Sequence, residues 1–370
     1  MLVDYSSKSN DSRMSSRLSE KRKTSLSTIR SNESLGSSLK HEFRLVYTAL
    51  CGKYKTCPVP WVKCNVKTNS IEILGDRMKG NDWRAAMEAL STDNSTHHVR
   101  IKNKRYTDQL ARNYEKFSSV VEAPKNIPAV STLYVVQLIS TSVYEVMINT
   151  SALVCLELEN VLFDEQSLDI LISGIDINQT LQHLSLAYCR IGDDACLSLC
   201  RVLRDKPNIR SLDLSGCSLS SESVNFGLLD MIKKQQVKRH EECWAHSLRY
   251  RTANPDIMHG LRRLTLNDNT SIGDYGVADL FESLKDDLYV KAVDVQNCGL
   301  TDRGAQFALS TLMINDSLVV LDVRKNATMS SAMLEAIMTR LYQNNINKTN
   351  TNQWNWTKLG RENKIESPRT

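Results

Sequence analysis

Leu184-Ser-Leu186, Leu212-Asp-Leu214, Leu264-Thr-Leu266, Val293-Asp-Val295 and Leu321-Asp-Val323 decide how this chain folds. In each, two aliphatic anchors flank one residue, and three positions after the second anchor stands Cys189, Cys217, Asn269, Cys298 or Asn326. Leu156-Glu-Leu158 opens the series, with Val161 in the Asn/Cys slot. The second anchors fall at 158, 186, 214, 266, 295 and 323, so the steps are 28, 28, 52, 29 and 28. A fixed period in this range is the mark of a stacked repeat array, because unrelated apolar runs keep no such ruler.

The aliphatic-x-aliphatic pair predicts a short strand with both anchors inward and the middle residue outward. The Asn or Cys that follows points into the turn, where it bonds backbone groups that would otherwise be unpaired. Gly192-Asp193, Gly273-Asp274 and Thr301-Asp302 then place an acid where a helix begins, a preferred N-cap. Helical spacing follows in Cys196, Leu199 and Leu203, and in Val277, Leu280 and Leu284. A unit of 28 holds a strand, two turns and roughly 11 helical residues. The expected fold is therefore α/β: a leucine-rich-repeat solenoid, a ribonuclease-inhibitor-like horseshoe with parallel strands on the concave side and helices on the convex side. Each unit buries its apolar face only against its neighbours.

Residues 1–39 hold 13 serines, seven Lys/Arg and four Asp/Glu with little to bury, which predicts a disordered leader. Arg22-Lys23-Thr24-Ser25 within it suits a basophilic kinase, though a solvated tail is the simpler reading. The solenoid is expected over 40–343, starting with helically spaced Phe43, Val46, Tyr47 and Leu50. Ile71-Glu-Ile73 and Val99-Arg-Ile101 stand 28 apart and predict degenerate repeats over 65–130, with 102–130 partly irregular. The stretch 131–149 reads as a helix leading into the regular repeats at 151–326. A cap helix is expected over 330–343 (Met333, Ile337, Leu341), and a disordered tail over 344–370.

The step of 52 marks an insertion at 231–258. Its Val237, Glu241, Trp244 and Leu248 have helical spacing, so the convex helix is expected to run on before a loop returns at Asn254-Pro255. Insertions in repeat proteins gather on one face and often bind partners, and Trp, Tyr and Arg dominate interface energetics. The candidate binding residues here are Lys238, Arg239, His240, Glu241, Glu242, Trp244, Arg249, Tyr250 and Arg251. A second candidate surface is the concave wall: Asp213, Arg263, Asn267, Asp294, Gln296, Asp322 and Arg324. With Glu157, its middle positions predict an acidic stripe, which would repel nucleic-acid phosphates and suit a protein.

The net charge of +5 is mild for 370 residues. No apolar run reaches the roughly 20 residues that span a bilayer, and MLVDYSSKSN is too polar for a secretory signal. The ten cysteines read as buried reduced thiols, which places the chain in the cytosol. No phosphate loop, Gly-x-Ser-x-Gly elbow or His-Glu-x-x-His occurs. His240-Glu241-Glu242 are helix neighbours that point in different directions. Cys51, Cys57, Cys64, His97 and His98 lack the close pairs of a structural zinc site. No catalytic residue, metal ligand or cofactor is assigned.

Lys238-Arg-His-Glu-Glu-Cys-Trp-Ala-His-Ser-Leu-Arg-Tyr-Arg251 is more specific than any repeat motif. With Gly260-Leu-Arg-Arg-Leu-Thr-Leu266, Ile272-Gly-Asp274, Asn297-Cys-Gly-Leu-Thr301 and Leu318-Val-Val-Leu-Asp322, it resembles a family of leucine-rich-repeat centrosomal proteins. The likeness extends through Asp76-Arg77, Gly80 and Asp82-Trp83 to Gln353-Trp354, roughly 41–356. It implies a non-enzymatic scaffold in the cytoplasm and cytoskeleton, at the centrosome, centrioles and ciliary basal bodies. It further implies roles in cilium assembly and centriole duplication, with a polo-like kinase and components of a ubiquitin ligase, which it restrains, as partners. The Ser-rich leader is extra to that pattern, and the family's coiled-coil tail is absent from this sequence. Two other readings suit the same repeat type: a regulator of a Ran-like small GTPase, and an actin-capping module akin to tropomodulin.

Overall fold

A computed structural model describes residues 42–105, 109–124, 126–250 and 258–346. The Ser-rich leader, the loop at Asn254-Pro255 and the tail beyond Ile346 lie outside the described residues. Among the described residues, nine strands form one sheet in chain order: β1 Val62–Asn65, β2 Ser70–Leu74, β3 His98–Lys102, β4 Cys155–Glu159, β5 His183–Ser185, β6 Ser211–Asp213, β7 Arg263–Thr265, β8 Ala292–Asp294 and β9 Val320–Asp322. β1 runs antiparallel to β2, and every later pair is parallel. The register aligns Ile71, Val99, Leu156, Leu184, Leu212, Leu264, Val293 and Leu321 in one row across eight strands. The chain is thus an α/β leucine-rich-repeat solenoid.

The period is visible in three further rows. The anchors form a continuous apolar core, with Leu184, Leu186, Leu212, Leu214, Leu264 and Leu266 wholly buried. The slot residues satisfy carbonyls of the preceding repeat: Cys189 Sγ donates to Leu158 O, Cys217 Sγ to Leu186 O and Cys298 Sγ to Leu266 O. Asn269 Nδ2 donates to Leu214 O at 2.9 Å, and Asn326 Nδ2 to Val295 O at 3.0 Å. Burial pushes the thiols of Cys189 and Cys298 up to about 12, so both stay protonated and inert at neutral pH. Two positions after each second anchor the chain turns through left-handed φ, at Asn160, Tyr188, Gly216, Asp268, Asn297 and Lys325. Among these, Gly216 also leaves room for the ring of Tyr188, which a Cβ there would strike.

The helices pack behind the strands: α1 Glu42–Lys53, α2 Gly80–Ser91, α3 Phe117–Glu122, α4 Leu133–Asn149, α5 Glu165–Ile177, α6 Gly192–Leu203, α7 Leu229–Tyr250, α8 Gly273–Leu284, α9 Asp302–Ile314 and α10 Ser331–Asn345. The early anchor pairs lie on β2 and β3, with Trp83 and Leu90 buried on α2 between them. Three features differ from the sequence reading. β1 forms a hairpin with β2 that no period announces. α4 packs between α2 and α5, so it is the convex helix of the β3 repeat rather than a lead-in. Residues 103–132 are therefore a second insertion, placed between a strand and its own helix.

The acids at the helix starts also act differently from the expectation. Asp193 does not cap its own helix; it accepts from Ser220 N and Oγ and from Ser223 Oγ in the next repeat. Asp274 accepts from Thr301 N, Thr301 Oγ and Gly304 N. Asp302 accepts from Ser330 N at 2.6 Å. Each carboxylate thus secures the helix start of the unit that follows it.

Candidate protein-binding surface

The helices α6, α8 and α9 of ordinary repeats have 12, 12 and 13 residues, whereas α7 has 22 and is entered through a π-helical turn at Ser223–Leu228. Its first half behaves as a repeat helix, with Leu229, Met231, Ile232, Gln235 and Arg239 buried. Gln235 Nε2 donates to Leu203 O at 2.9 Å, and Gln235 Oε1 accepts from Leu261 N at 3.0 Å and Arg239 Nη2 at 2.9 Å. Arg239 Nη2 also donates to Leu261 O at 2.9 Å. The guanidinium lies 4.9 Å from the Tyr289 ring centre, which His240 meets edge-on at 5.5 Å. Gly260 permits this arrangement, because at its φ of +110 a Cβ would occupy the position of the Arg239 guanidinium. Burial lowers the pKa of Arg239 to about 10, so it remains charged at pH 7.

Arg239 is therefore a structural lock, not the exposed contact expected from its basic neighbours. Sequence reading overlooked Gln235, which looks like any helix-surface glutamine until Leu203 and Leu261 close around it. Beyond Arg239 the helix leaves the core. Val237, Trp244 and Leu248 are 56%, 68% and 70% exposed, and they recur at intervals of seven and four residues. On the same α-helix, such spacing puts them along one side. Glu241 and Glu242 are exposed too, and Lys238 pairs with Asp205 of the α6–β6 connection. Arg249 and Tyr250 end the helix; Arg251 lies outside the described residues.

The strand wall differs from its expected form. Asp213 and Asp294 are buried, and Asp322 is half-buried. Asp213 accepts from Ser215 Oγ at 2.6 Å and Ser185 Oγ at 3.3 Å. Asp294 pairs with Arg263 and accepts from Thr265 Oγ1 at 3.0 Å. Asp322 is gripped by Arg324 and accepts from Gln296 Nε2 at 2.7 Å. Asn267 Oδ1 accepts from Gln296 N at 2.8 Å. Burial raises the pKa of Asp213 and Asp294, while the Asp322 carboxyl, despite burial, is held low by Arg324. The expected acidic stripe is thus closed up within the wall: register brings each acid a hydroxyl, amide or cation from an adjacent position.

The same closure operates at the N-terminal end of the wall. His98, Cys155 and Glu157 gather there, all buried. Glu157 lies 3.1 Å from His98 Nε2 and 3.1 Å from Arg100 Nε, and Cys155 Sγ donates to it at 3.7 Å. Burial alone would raise the Glu157 carboxyl; His98 and Arg100 bring it net below the ordinary value. Ion pairing accounts for this group. Of the cysteines and histidines weighed earlier for zinc, Cys51 is buried while Cys57 is exposed, and only His98 joins the cluster. No helix among the described residues is long and apolar enough to cross a membrane.

Comparison with known proteins agrees with this geometry. Profiles described as Leucine Rich repeat match residues 178–200 and 208–229. The centrosomal protein of 78 kDa from Homo sapiens is 33% identical over 310 residues, covering 83% of this chain and 44% of that protein. The Cep78 homolog of Drosophila melanogaster is 29% identical over 309 residues, covering 82% and 37%. A ribonuclease inhibitor from Sus scrofa is 28% identical over 167 residues, covering 42% and 36%. The chain spans less than half the length of the centrosomal relatives it matches.

Proposed function

Because the chain belongs to the leucine-rich-repeat family of the centrosomal protein of 78 kDa, we propose that it is a non-enzymatic scaffold that docks protein partners at the centrosome through the outer half of α7. The observation that carries this reading is the row of Val237, Trp244 and Leu248. Ordinary repeat helices leave single apolar residues exposed, as Ile177 and Tyr275 are, but here Trp244 and Leu248 continue a row begun at Val237 onto the stretch of helix beyond the buried Arg239. Large apolar side chains held on a rigid helix lose little conformational freedom on binding, which suits them as interface anchors. The strand wall, with its charges paired internally, is the weaker candidate. The finer roles (cilium assembly, centriole duplication, contact with a polo-like kinase and restraint of a ubiquitin ligase) are carried over from the family resemblance as part of the same proposal.

Trp244→Ala with Leu248→Ala tests it. In ciliated cells, the tagged double variant should lose centrosomal enrichment, and its proximity-labelling profile should lose centrosomal proteins. Its circular dichroism and Tm should match those of the parent chain. Unchanged enrichment in a folded double variant overturns the assignment of α7 as the docking element.

A further inference from the structure

The exposed row on α7 can be followed back past Val237. Phe226, in the π-helical turn before α7, is 72% exposed, and Asp230, Lys233, Val237, Glu241, Trp244 and Leu248 are exposed as well. Successive steps along these seven positions are 4, 3, 4, 4, 3 and 4. Alternating threes and fours keep residues on one side of a helix and are the spacing of a helix–helix seam. The opposite side carries Leu228, Met231, Ile232, Gln235 and Arg239, all buried. The row is therefore the outermost line of this helix. It spans 248 − 226 = 22 residues, or about 33 Å.

The chemistry of the row reads the same from both ends, and Val237 is its midpoint. Lys233 stands four positions before it and Glu241 four after; Phe226 stands eleven before it and Leu248 eleven after. Two large apolar residues and two opposite charges are thus placed symmetrically about one valine. A surface that binds an unrelated protein has no need of that symmetry. A surface that binds its own copy about a two-fold axis does, because residue i then meets residue j while j meets i. Asp230 and Trp244, seven positions to either side, also fit, since a carboxylate accepts and an indole N–H donates. Beside the row, Lys238 is already paired with Asp205, and Asp230 itself lies 3.7 Å from Arg204. Among the described residues Lys233 and Glu241 enter no ion pair, so this charge pair is open to a second molecule.

We propose that two copies of this chain pair antiparallel through this row, with Val237 at the two-fold axis. Lys233 of each copy then faces Glu241 of the other, and Phe226 of each packs against Leu248 of the other. The proposal rests on the reading of α7 as the docking element and names an occupant for it. A two-helix contact of this length lies at the small end of specific interfaces, below about 1,200 Å² in total, so micromolar association is expected.

Charge exchange tests it, by sedimentation velocity on the full chain from about 1 to 200 µM. Over that range the parent chain should pass from monomer to dimer. Lys233→Glu alone and Glu241→Lys alone should each weaken self-association at least about ten-fold, because each like-charge contact occurs twice in the dimer. Mixed in equal amounts, the two single variants should associate to within about three-fold of the parent affinity. In the mixed dimer the two reversed charges face each other, as do the two native ones. The mixture also serves as the folding control, since a misfolded variant could not recover by mixing. A parent chain that stays monomeric, single variants that associate like the parent, or a mixture no tighter than its components would each overturn the proposal. Loss of centrosomal enrichment in Trp244→Ala with Leu248→Ala would survive any of these and give the face to a different protein. Recovery by mixing, with that enrichment unchanged, would support the pairing and overturn only the centrosomal reading.

Discussion

The strand wall and the outer half of α7 look alike in the sequence: both are polar, charged and punctuated by apolar residues. In three dimensions they are opposites. On the wall, parallel register carries polar and charged side chains to partners on an adjacent rung, so Arg263 meets Asp294 and Gln296 meets Asp322. On α7 beyond Arg239, the neighbouring repeat still meets His240 and Cys243 through Tyr289, but Trp244 and Leu248 are exposed. The lesson is that in a solenoid the fate of a side chain is set by whether a rung lies beside it, not by its own polarity. Where rungs are in register, polar groups become structure; where the chain leaves the register, apolar groups become surface.

The contrast can be broken or sharpened by substitution. The largest effect should come from Leu264→Ala, which empties a wholly buried anchor between two rungs. We expect a loss of about 3–4 kcal/mol in denaturant unfolding, from lost transfer energy and a cavity. Gly260→Ala should cost about 2–3 kcal/mol, since it combines a positive φ with displacement of the Arg239 guanidinium. The same variant with Arg239→Ala should lose less than the sum of the two, because the clash is then gone.

A pH titration gives the next effect. Burial, reinforced by the Arg210 charge, lowers the pKa of His183 to about 4, against an ordinary value of 6.5. Between those values the unfolded chain holds this proton and the folded chain does not. Stability therefore falls as pH drops from about 6.5 towards 4, by on the order of 2 kcal/mol from this residue. His183→Gln should flatten that part of the stability profile measured by urea unfolding; an unaltered slope would refute it. Asp274→Ala should cost about 1–2 kcal/mol, since three donors of the following repeat lose their acceptor, measured as a shift in the urea midpoint. At the other extreme, Trp244→Ala with Leu248→Ala should change unfolding by less than about 0.5 kcal/mol. If it costs as much as Leu264→Ala, then α7 is a rung after all.

What could be read in advance follows the same division. Leu-x-Leu at a constant step is a local pattern, and it was enough to place the regular strands and the slot cysteines. Val237, Trp244 and Leu248 are likewise local, so the continuation of the convex helix was legible. The burial of Arg239 was not, because it depends on Tyr289 and Gly260, whose approach only the fold arranges. The acidic stripe was misread for a related cause: Asp213 and Asp294 look free until the register supplies Ser185, Thr265 and Arg263. β1 escaped notice because a hairpin across the end of the stack owes nothing to the period, and the 103–132 insertion hid the kinship of α4 with the later convex helices.

The carboxylates of Asp193, Asp274 and Asp302 reach forward along the chain. That gives the stack a direction. Three units carry the clasp for their successor, so a nascent chain leaving the ribosome would find those helix starts met by an acceptor already in position. Deleting material from the carboxyl side bares such a carboxylate and also takes a slot amide such as that of Asn326 from the unit before, while deleting an early unit strips its successor's helix start of its acceptor.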